Sequence, residues 1–168
     1  MTQTKDRSAV QGSFTLERTY PASPERVYGA FATLEGKQRW FDGPPGWDLI
    51  ERAFDFRVGG EERLAGRWPS GTVSDFRGRY YDIVPESRIV YAYEMYIDRT
   101  KISVSLATIE FKPADAGTTV IISEAGVFLD GYDDAGSRKH GTALLLDRVG
   151  ESLWGEEGQP AETALPCH

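Results

Sequence analysis

Residues 88–128, RIVYAYEMYIDRTKISVSLATIEFKPADAGTTVIISEAGVF, contain the pattern that decides the fold. Three runs rich in β-branched and aromatic residues are separated by turn residues at 98–100 and 114–117, which is typical of strands joined by hairpins. These connections are too short for a crossover between parallel strands, which needs about a dozen residues or more. The stretch therefore predicts three consecutive strands of an antiparallel meander.

The meander extends upstream through three further strand-like runs. They span residues 47–56, 61–68 and 72–84, and turn residues separate them at 58–60, 69–71 and 85–87. Another run, SFTLERTY at 13–20, alternates apolar and polar residues, which predicts a half-buried strand near the start of the chain.

Two segments have helical spacing. In the first, Ser23 is a suitable N-cap, Pro24 suits the first helical position, and Gly36 is expected to end the helix. In the second, at 135–154, four apolar residues form one stripe: Leu145, Leu146, Val149 and Leu153. One apolar stripe needs one sheet face to cover it. The predicted fold class is therefore α+β, with a curved antiparallel sheet wrapped around a long C-terminal helix.

The length of 168 residues fits one domain with one core. We place that domain at residues 13–154, between a flexible N-terminus at 1–12 and a loose C-terminal tail at 155–168. The net charge of −7 repels phosphate backbones and anionic lipid, so we expect no nucleic-acid or membrane partner. No apolar run reaches the roughly 18 residues of a membrane span, and no signal segment is present. We expect a cytoplasmic protein, and homodimerisation through edge strands stays open.

The sequence offers few groups for covalent or metal chemistry. The single cysteine, Cys167, is the penultimate residue, and the two histidines are His140 and the C-terminal His168. Zinc sites draw several ligands from these residue types, so we expect no metal. FRVGGEERL, at residues 56–64, does not match the glycine pattern of a dinucleotide site and leads into a strand. We expect no cofactor.

Several segments resemble a known family when they are taken together. They are TYPASPERVYGAFAT (19–33), RWFDGPPGW (39–47), DFRVGGEERL (55–64), FRGRYYDIVPESRIVYAYEM (76–95), ATIEFKPADAGTTVIISEAGVF (107–128) and RKHGTALLLDRVGESL (138–153). The chain resembles the activator-of-Hsp90-ATPase-like (AHSA1-like) branch of the START/Bet v 1-like (SRPBCC) superfamily. The resemblance covers residues 14–153. One departure is that Thr142 follows Gly141, where relatives often have tryptophan.

The resemblance implies a helix-grip fold with a hydrophobic cavity between the sheet and the C-terminal helix. Relatives bind lipids, sterols, polyketides or plant hormones, and some are cyclases. The eukaryotic chaperone activators carry this domain after a separate one, and nothing in this chain corresponds to that second domain. We therefore do not expect Hsp90 as a partner.

The candidate ligand-binding residues are mostly aromatic. They are Trp40, Phe41, Trp47, Trp68, Tyr81, Tyr91, Tyr93, Met95, Glu124 and Leu145. The tryptophans near the first helix either line a pocket mouth or fill the open end of the sheet as core. Strand alternation puts Tyr91, Tyr93 and Met95 on one face, but the sequence VYAY is apolar in both phases and does not say which face is concave.

Glu124 is the candidate for acid–base chemistry, although no complete catalytic set accompanies it. It shares a strand face with Val120 and Ile122, and the resemblance directs that face toward the cavity. A carboxylate among apolar residues would have a raised pKa and could act as an acid, a base or a hydrogen-bond anchor. The alternative is that an arginine, Arg57, Arg67 or Arg79, pairs with it, or that it lies where the strand emerges into solvent.

Three functional hypotheses follow. The leading one is binding of a small hydrophobic or amphipathic ligand between sheet and helix without obligatory catalysis. The second is a cofactor-independent enzyme of the cyclase or lyase kind that uses Glu124, a tyrosine or an arginine in the same cavity. The third is a chaperone-associated or stress-response interaction module, which would present a large exposed apolar patch.

Overall fold

The structure, a computed structural model, describes residues 6–157. Its elements in chain order are β1 (Ala9–Tyr20), α1 (Pro24–Ala32), α2 (Leu34–Trp40), β2 (Asp48–Phe54), β3 (Glu61–Arg67), β4 (Val73–Val84), β5 (Arg88–Ile97), β6 (Thr100–Ala114), β7 (Gly117–Leu129) and α3 (Ala135–Glu157). The predicted order of strand, helix, meander and terminal helix is confirmed. The predicted first helix is divided into two.

One antiparallel sheet connects all the strands within the described residues, in the order β1-β7-β6-β5-β4-β3-β2. The meander from β2 to β7 pairs each strand with the next one in the chain, as predicted from the short turns. β1 instead pairs with β7, from Ala9 opposite Leu129 to Tyr20 opposite Thr118. This pairing brings the two ends of the domain together beside α3.

The sheet is curved, and α3 packs against its concave face. Register shifts interrupt three strand pairs, at Leu49/Glu51, Tyr80/Asp82 and Met95/Tyr96, and such bulges bend a strand and increase its twist. From α3, Leu146, Val149 and Leu153 enter the core. The predicted α+β class and its helix-grip arrangement are therefore confirmed.

Gly36 does not end the first helix, contrary to the sequence prediction. α1 ends at Ala32 because Thr33 is extended, and the Thr33 hydroxyl accepts a hydrogen bond from the Gly36 amide at 3.0 Å, which caps α2. Gly36 lies inside α2, and a Cβ atom there would come within 2.4 Å of the Gly29 carbonyl oxygen. Its role is to permit the close approach of α1 and α2.

The domain boundaries extend beyond those inferred from the sequence. β1 begins at Ala9 rather than Ser13, so the prediction of a flexible N-terminus is wrong for residues 9–12. These residues are mostly exposed and show no burial pattern; backbone pairing with β7 holds them in the sheet. α3 runs to Glu157, past the expected start of the tail at 155. Residues 1–5 and 158–168 lie outside the described residues. Across 6–157, no helix is both long and apolar enough to cross a membrane.

A glycine inside α3 provides a direct test of the helix packing. A Cβ atom at Gly141 would meet no heavy atom within 4 Å, and alanine is a better helix former by about 1 kcal/mol. We expect Gly141→Ala to raise the free energy of unfolding in urea by roughly 0.5–1 kcal/mol. Gly36→Ala, the matched change at a crowded helical glycine, should lower it. Destabilisation by Gly141→Ala would show that α3 packs more tightly there than the structure indicates.

Candidate functional site

The concave face of β5 provides the centre of the candidate site. Tyr91, Tyr93 and Met95 share this face, since Tyr91 packs against the core and Tyr93 is buried. The ring centroids of Tyr91 and Tyr93 lie 5.9 Å apart in a stacked arrangement, and Phe76 of β4 lies 4.9 Å from Tyr93. The face that the sequence left undecided is therefore the Tyr91 face.

A buried polar network, the Glu124 cluster, lies beside these rings and consists of Glu124, Tyr93, Arg138, Ser103 and Asp133. The Tyr93 hydroxyl donates to Glu124 Oε1 at 2.7 Å and accepts from Arg138 Nη1 at 3.0 Å. Arg138 Nη2 donates to Ser103 Oγ and to Asp133 Oδ2, both at 2.9 Å. The cluster joins β5, β6 and β7 to the first turn of α3.

Burial controls the titration of this cluster. Removal of Glu124 from solvent raises the pKa of its carboxyl group above the ordinary 4.5, against the opposing effects of the Tyr93 hydrogen bond and the Arg138 charge. Burial likewise raises the pKa of the Tyr91 and Tyr93 hydroxyls, and the nearby charge of Glu124 raises both pKa values further. The tyrosines therefore stay neutral hydrogen-bonding groups, while Glu124 titrates closer to neutrality than an exposed carboxylate.

Three polar atoms on the concave side have no hydrogen bond to any described residue: the Tyr91 hydroxyl, Glu124 Oε2 and the Ser105 hydroxyl. Among the described side chains, those of residues 6–154, every nitrogen or oxygen that is shielded from solvent has a hydrogen-bond partner. These three atoms must therefore reach space that solvent can enter. Glu124 as a residue is only 7% exposed, so the opening exposes little more than its carboxylate edge.

The pH dependence of stability should report this environment. Because the pKa of Glu124 is raised in the folded protein, folding favours the protonated form. Protonated Glu124 therefore stabilises the folded protein fully below the ordinary pKa of 4.5. This stabilisation is lost as the pH rises through the pKa that Glu124 has in the folded protein. Glu124→Gln retains an acceptor for Tyr93 and does not titrate. We expect its free energy of unfolding to rise relative to wild type between about pH 4 and pH 8; a constant difference would contradict the raised pKa.

A second buried network, the Lys37 cluster, consists of Lys37, Glu62 and Tyr80 and was not found from the sequence. Lys37 Nζ of α2 lies 3.1 Å from Glu62 Oε2 of β3, and the Tyr80 hydroxyl donates to Glu62 Oε1. The ammonium group also lies 4.9 Å and 4.6 Å from the ring centroids of Trp40 and Phe41. Lys37 and Glu62 are 8% and 4% exposed, so the pair is fully internal.

Aromatic rings fill much of the space between the two clusters. Consecutive centroid contacts connect Phe56 to Tyr80 at 5.0 Å, Tyr80 to Tyr91 at 6.0 Å, and Tyr91 to Tyr93 at 5.9 Å. Leu145 of α3 also packs against this core. The aromatic rings and Leu145 therefore occupy much of the concave side between the two clusters.

The residues expected at the pocket mouth are mainly packed. Trp40 is buried, donates its indole N–H to the Ala30 carbonyl at 2.8 Å, and lies 5.1 Å from Phe31 between ring centroids. Phe41 contacts Phe76 edge to face at 5.1 Å. These contacts support the alternative that both residues close the end of the sheet, although Phe41 also connects the mouth to the central rings.

Trp47 explains why the surrounding segment is rich in glycine. Its indole lies against Gly43 and Gly66, where a Cβ atom would come within 2.1 Å and 1.8 Å of the ring. We expect Gly66→Ala to lower the free energy of unfolding by about 1–3 kcal/mol, since the tryptophan must move. Gly59→Ala cannot serve as the control variant. Gly59 has a φ of +85°, so a side chain there would add backbone strain. Combining Gly66→Ala with Trp47→Leu should recover part of the loss; no recovery would show that the backbone, not the ring, is the obstacle.

Two predicted site residues lie elsewhere, and their assignment to the cavity is wrong. Tyr81 is 55% exposed on the convex face, because strand alternation gives the concave position to Tyr80. Trp68 is 39% exposed in the turn after β3, where its indole N–H donates to Ser74 Oγ at 2.9 Å. Neither side chain reaches the concave face.

The arginines proposed as partners of Glu124 do not bind it. Arg57 pairs with Asp55 at 2.8 Å, and Arg67 donates to the Gly71 carbonyl at 3.4 Å. The arginine connected to Glu124 is instead Arg138, and the Tyr93 hydroxyl lies between them in the hydrogen-bond network. His140 is exposed on α3, and in the part of the chain whose side chains are described, 6–154, no three His, Cys, Asp or Glu side chains form a group that could hold a metal.

A recess of about 150 Å³ lies outside this site, between the start of α1 and the end of α3. Tyr20, Leu146 and Trp154 line it. The Tyr20 hydroxyl already donates to the Leu146 carbonyl at 2.7 Å. The recess therefore presents mainly apolar surface.

The comparisons with known proteins agree with the fold and the order of these elements. The family model for "Activator of Hsp90 ATPase homolog 1-like protein" matches residues 21–153. The chain belongs to this family. No curated protein matches it. Among solved structures, a Rhizobium leguminosarum protein is 39% identical with a TM-score of 0.83, over 88% of this chain and 97% of the other. Protein Mll3558 of Rhizobium loti is 40% identical with a TM-score of 0.79, and the match covers 86% of this chain and 99% of the other.

A more distant member shows how far the fold persists. The AHSA1-like protein of Aeromonas hydrophila is 17% identical with a TM-score of 0.62, and the match covers 94% of this chain and 100% of the other. At that identity the likeness supports the helix-grip fold alone. The family membership of this chain thus fixes its architecture, while its function must be argued from its own site.

Proposed function

We propose that this AHSA1-like protein binds a small amphipathic molecule between the concave sheet face and α3, without obligatory catalysis. The observation that carries the proposal is the set of unpaired polar atoms at the buried Glu124 cluster. Because these atoms reach space that solvent can enter, they are open to a ligand. A ligand that excludes water from this space has to supply partners for Tyr91 and Glu124, since a buried polar group left unpaired costs about 1–3 kcal/mol.

The aromatic packing limits what the ligand can be. Tyr91, Tyr93 and Phe76 present ring faces and edges beside the polar atoms, and such a surface suits a planar or short aliphatic group. The rings of Phe56 and Tyr80 occupy the space toward the Lys37 cluster. The site therefore favours a compact molecule over a long-chain lipid.

Ligand-dependent thermal unfolding tests the proposal. A ligand at a hundredfold excess over its Kd stabilises the folded state by about 2.7 kcal/mol, which is readily detected against a library of small amphipathic compounds. Compounds that stabilise wild type should lose most of their effect in Glu124→Gln or Tyr91→Phe. Tyr81→Phe, the same change on the convex face, should leave it intact. If stabilisation persists in both site variants, the ligand binds elsewhere and the proposal is wrong.

An acid–base enzyme is the second candidate, because Glu124 combines a raised pKa with an accessible oxygen. Such a carboxyl group could exchange a proton with a bound molecule while the neutral Tyr91 hydroxyl holds an oxygen atom nearby. Product analysis of any stabilising compound after incubation with wild type and Glu124→Gln separates the two candidates. Turnover that Glu124→Gln abolishes would favour the enzyme; unchanged compound would favour binding alone.

A further inference from the structure

The charges of the Glu124 cluster do not balance. Arg138 is bound by Asp133, whose Oδ2 accepts from Arg138 Nη2 at 2.9 Å and from Nε at 3.2 Å. Glu124 has no ion pair with any described side chain, and among these side chains only the neutral Tyr93 hydroxyl hydrogen-bonds to its carboxylate. With Glu124 ionised, one positive and two negative groups leave the cluster with an excess of one negative charge.

The Lys37 cluster cannot supply the missing positive charge. Its ammonium group is already paired with Glu62 at 3.1 Å, so that cluster is neutral as a unit. The Tyr91 ring lies between the two clusters, and its hydroxyl is influenced by the charges of both Glu124 and Glu62. The excess negative charge of Glu124 therefore lies beside the Tyr91 hydroxyl without a balancing cation.

We propose that the bound molecule is a small organic amine whose ammonium group pairs with Glu124 Oε2 and lies against the aromatic rings of Tyr91 and Tyr93. This inference rests on the proposed function and names its ligand class. An ammonium group has three N–H donors, enough for Glu124 Oε2 together with the Tyr91 and Ser105 hydroxyl oxygens. Each of those three acceptors is unpaired.

Two further features favour a cation over a neutral or anionic group. Ring faces attract cations through the quadrupole of the π system, and the attraction is stronger when the cation is desolvated. The net charge of the chain is −7, so its field also attracts amines. A carboxylate ligand would meet Glu124 and Glu62 without a free cation, because Arg138 and Lys37 are both paired. Burial raises the pKa of Glu124, and a cation bound beside its carboxylate would offset that effect.

Three probes with the same ring and different end groups test the inference by calorimetry: 2-phenylethylamine, 2-phenylethanol and phenylacetate. At about pH 7.5 we expect the amine to bind about tenfold or more tightly than the alcohol, and phenylacetate to bind weakest. Glu124→Gln should weaken amine binding about tenfold or more and change alcohol binding by less than about threefold. Tyr81→Phe is the control for both.

The pH profile gives an independent readout. Amine binding should strengthen as the pH rises through the folded-state pKa of Glu124, with a proton released on binding, while alcohol binding should stay flat. The other charged or titratable groups that face the site are Tyr91, Tyr93, Arg138, Asp133 and Glu62. The tyrosines and Arg138 have raised pKa values and do not titrate in this range.

The outcomes separate this inference from the proposed function. The amine assignment is wrong if the alcohol or phenylacetate binds as tightly as the amine or more tightly. If Tyr91→Phe weakens that binding, the ligand site itself is still supported. Amine binding that Glu124→Gln does not weaken would overturn the amine assignment as well. Failure of all three probes to bind, together with an empty library screen, would overturn both.

Discussion

Replacing Lys37 with methionine is expected to lower the free energy of unfolding by about 3–5 kcal/mol. The change removes the cation that pairs with Glu62, a residue only 4% exposed. Glu62 then either stays ionised without a counter-charge or takes up a proton, and both cost folding free energy. Methionine is similar in length to the lysine stem and still fills the space beside Trp40 and Phe41. The loss of stability therefore reports removal of the ammonium charge.

Two comparison variants isolate that effect in urea unfolding. Lys112→Met removes an exposed partner of Glu110, 3.8 Å away, and should cost less than about 1 kcal/mol. Replacing the whole Lys37 cluster, with Lys37→Met, Glu62→Met and Tyr80→Phe together, should recover most of the stability, because no uncompensated charge remains. If Lys37→Met costs no more than Lys112→Met, the internal ion pair does not exist as described.

The fold could be predicted because its signals are local. Each hairpin of the meander has its own turn residues, and the stripe of Leu146, Val149 and Leu153 specifies the face of α3 that a sheet must cover. Ser23 and Pro24 likewise specified the start of α1. Gly36 was misinterpreted because a glycine that ends a helix and one that admits a neighbouring helix look the same in sequence.

The site could be predicted only in part because its contacts are distant in the chain. Strand alternation placed Tyr91 and Tyr93 on one face without deciding which face is concave, and the resemblance directed Glu124 toward the cavity. Lys37 and Glu62 were not predicted, since nothing in sequence relates a helix residue to a strand residue in another element. A signal was nevertheless present for Glu62. Alternation in EERLAGR puts it on the same face as Leu64 and Gly66, an apolar setting for a carboxylate.

The same reasoning applies to Arg138. It precedes Thr142, Leu145 and Val149 at helical spacing, so the buried stripe of α3 continues through a charged residue toward its first turn. A charge on a core-facing stripe indicates a buried partner. The two clusters thus share one origin: each places a cation from a helix against carboxylates or hydroxyls of the sheet.

The second large effect is expected from Arg138→Met, which should lower the free energy of unfolding by about 3 kcal/mol. It leaves Asp133 without its cation and the fully buried Ser103 hydroxyl without its donor. It also removes the charge that holds the pKa of Glu124 down, so that pKa should rise further. The stability of the variant relative to wild type should therefore fall as the pH rises through the range in which Glu124 ionises.

Lys139→Met is the matched control, because it removes the same charge from the next residue of α3, which is exposed. It should change stability by less than about 0.5 kcal/mol with no added pH dependence. Urea unfolding at several pH values measures both variants. A loss in Arg138→Met that does not depend on pH would mean that Arg138 packs against the sheet without coupling to Glu124. The excess negative charge inferred for the site would then lose its physical basis.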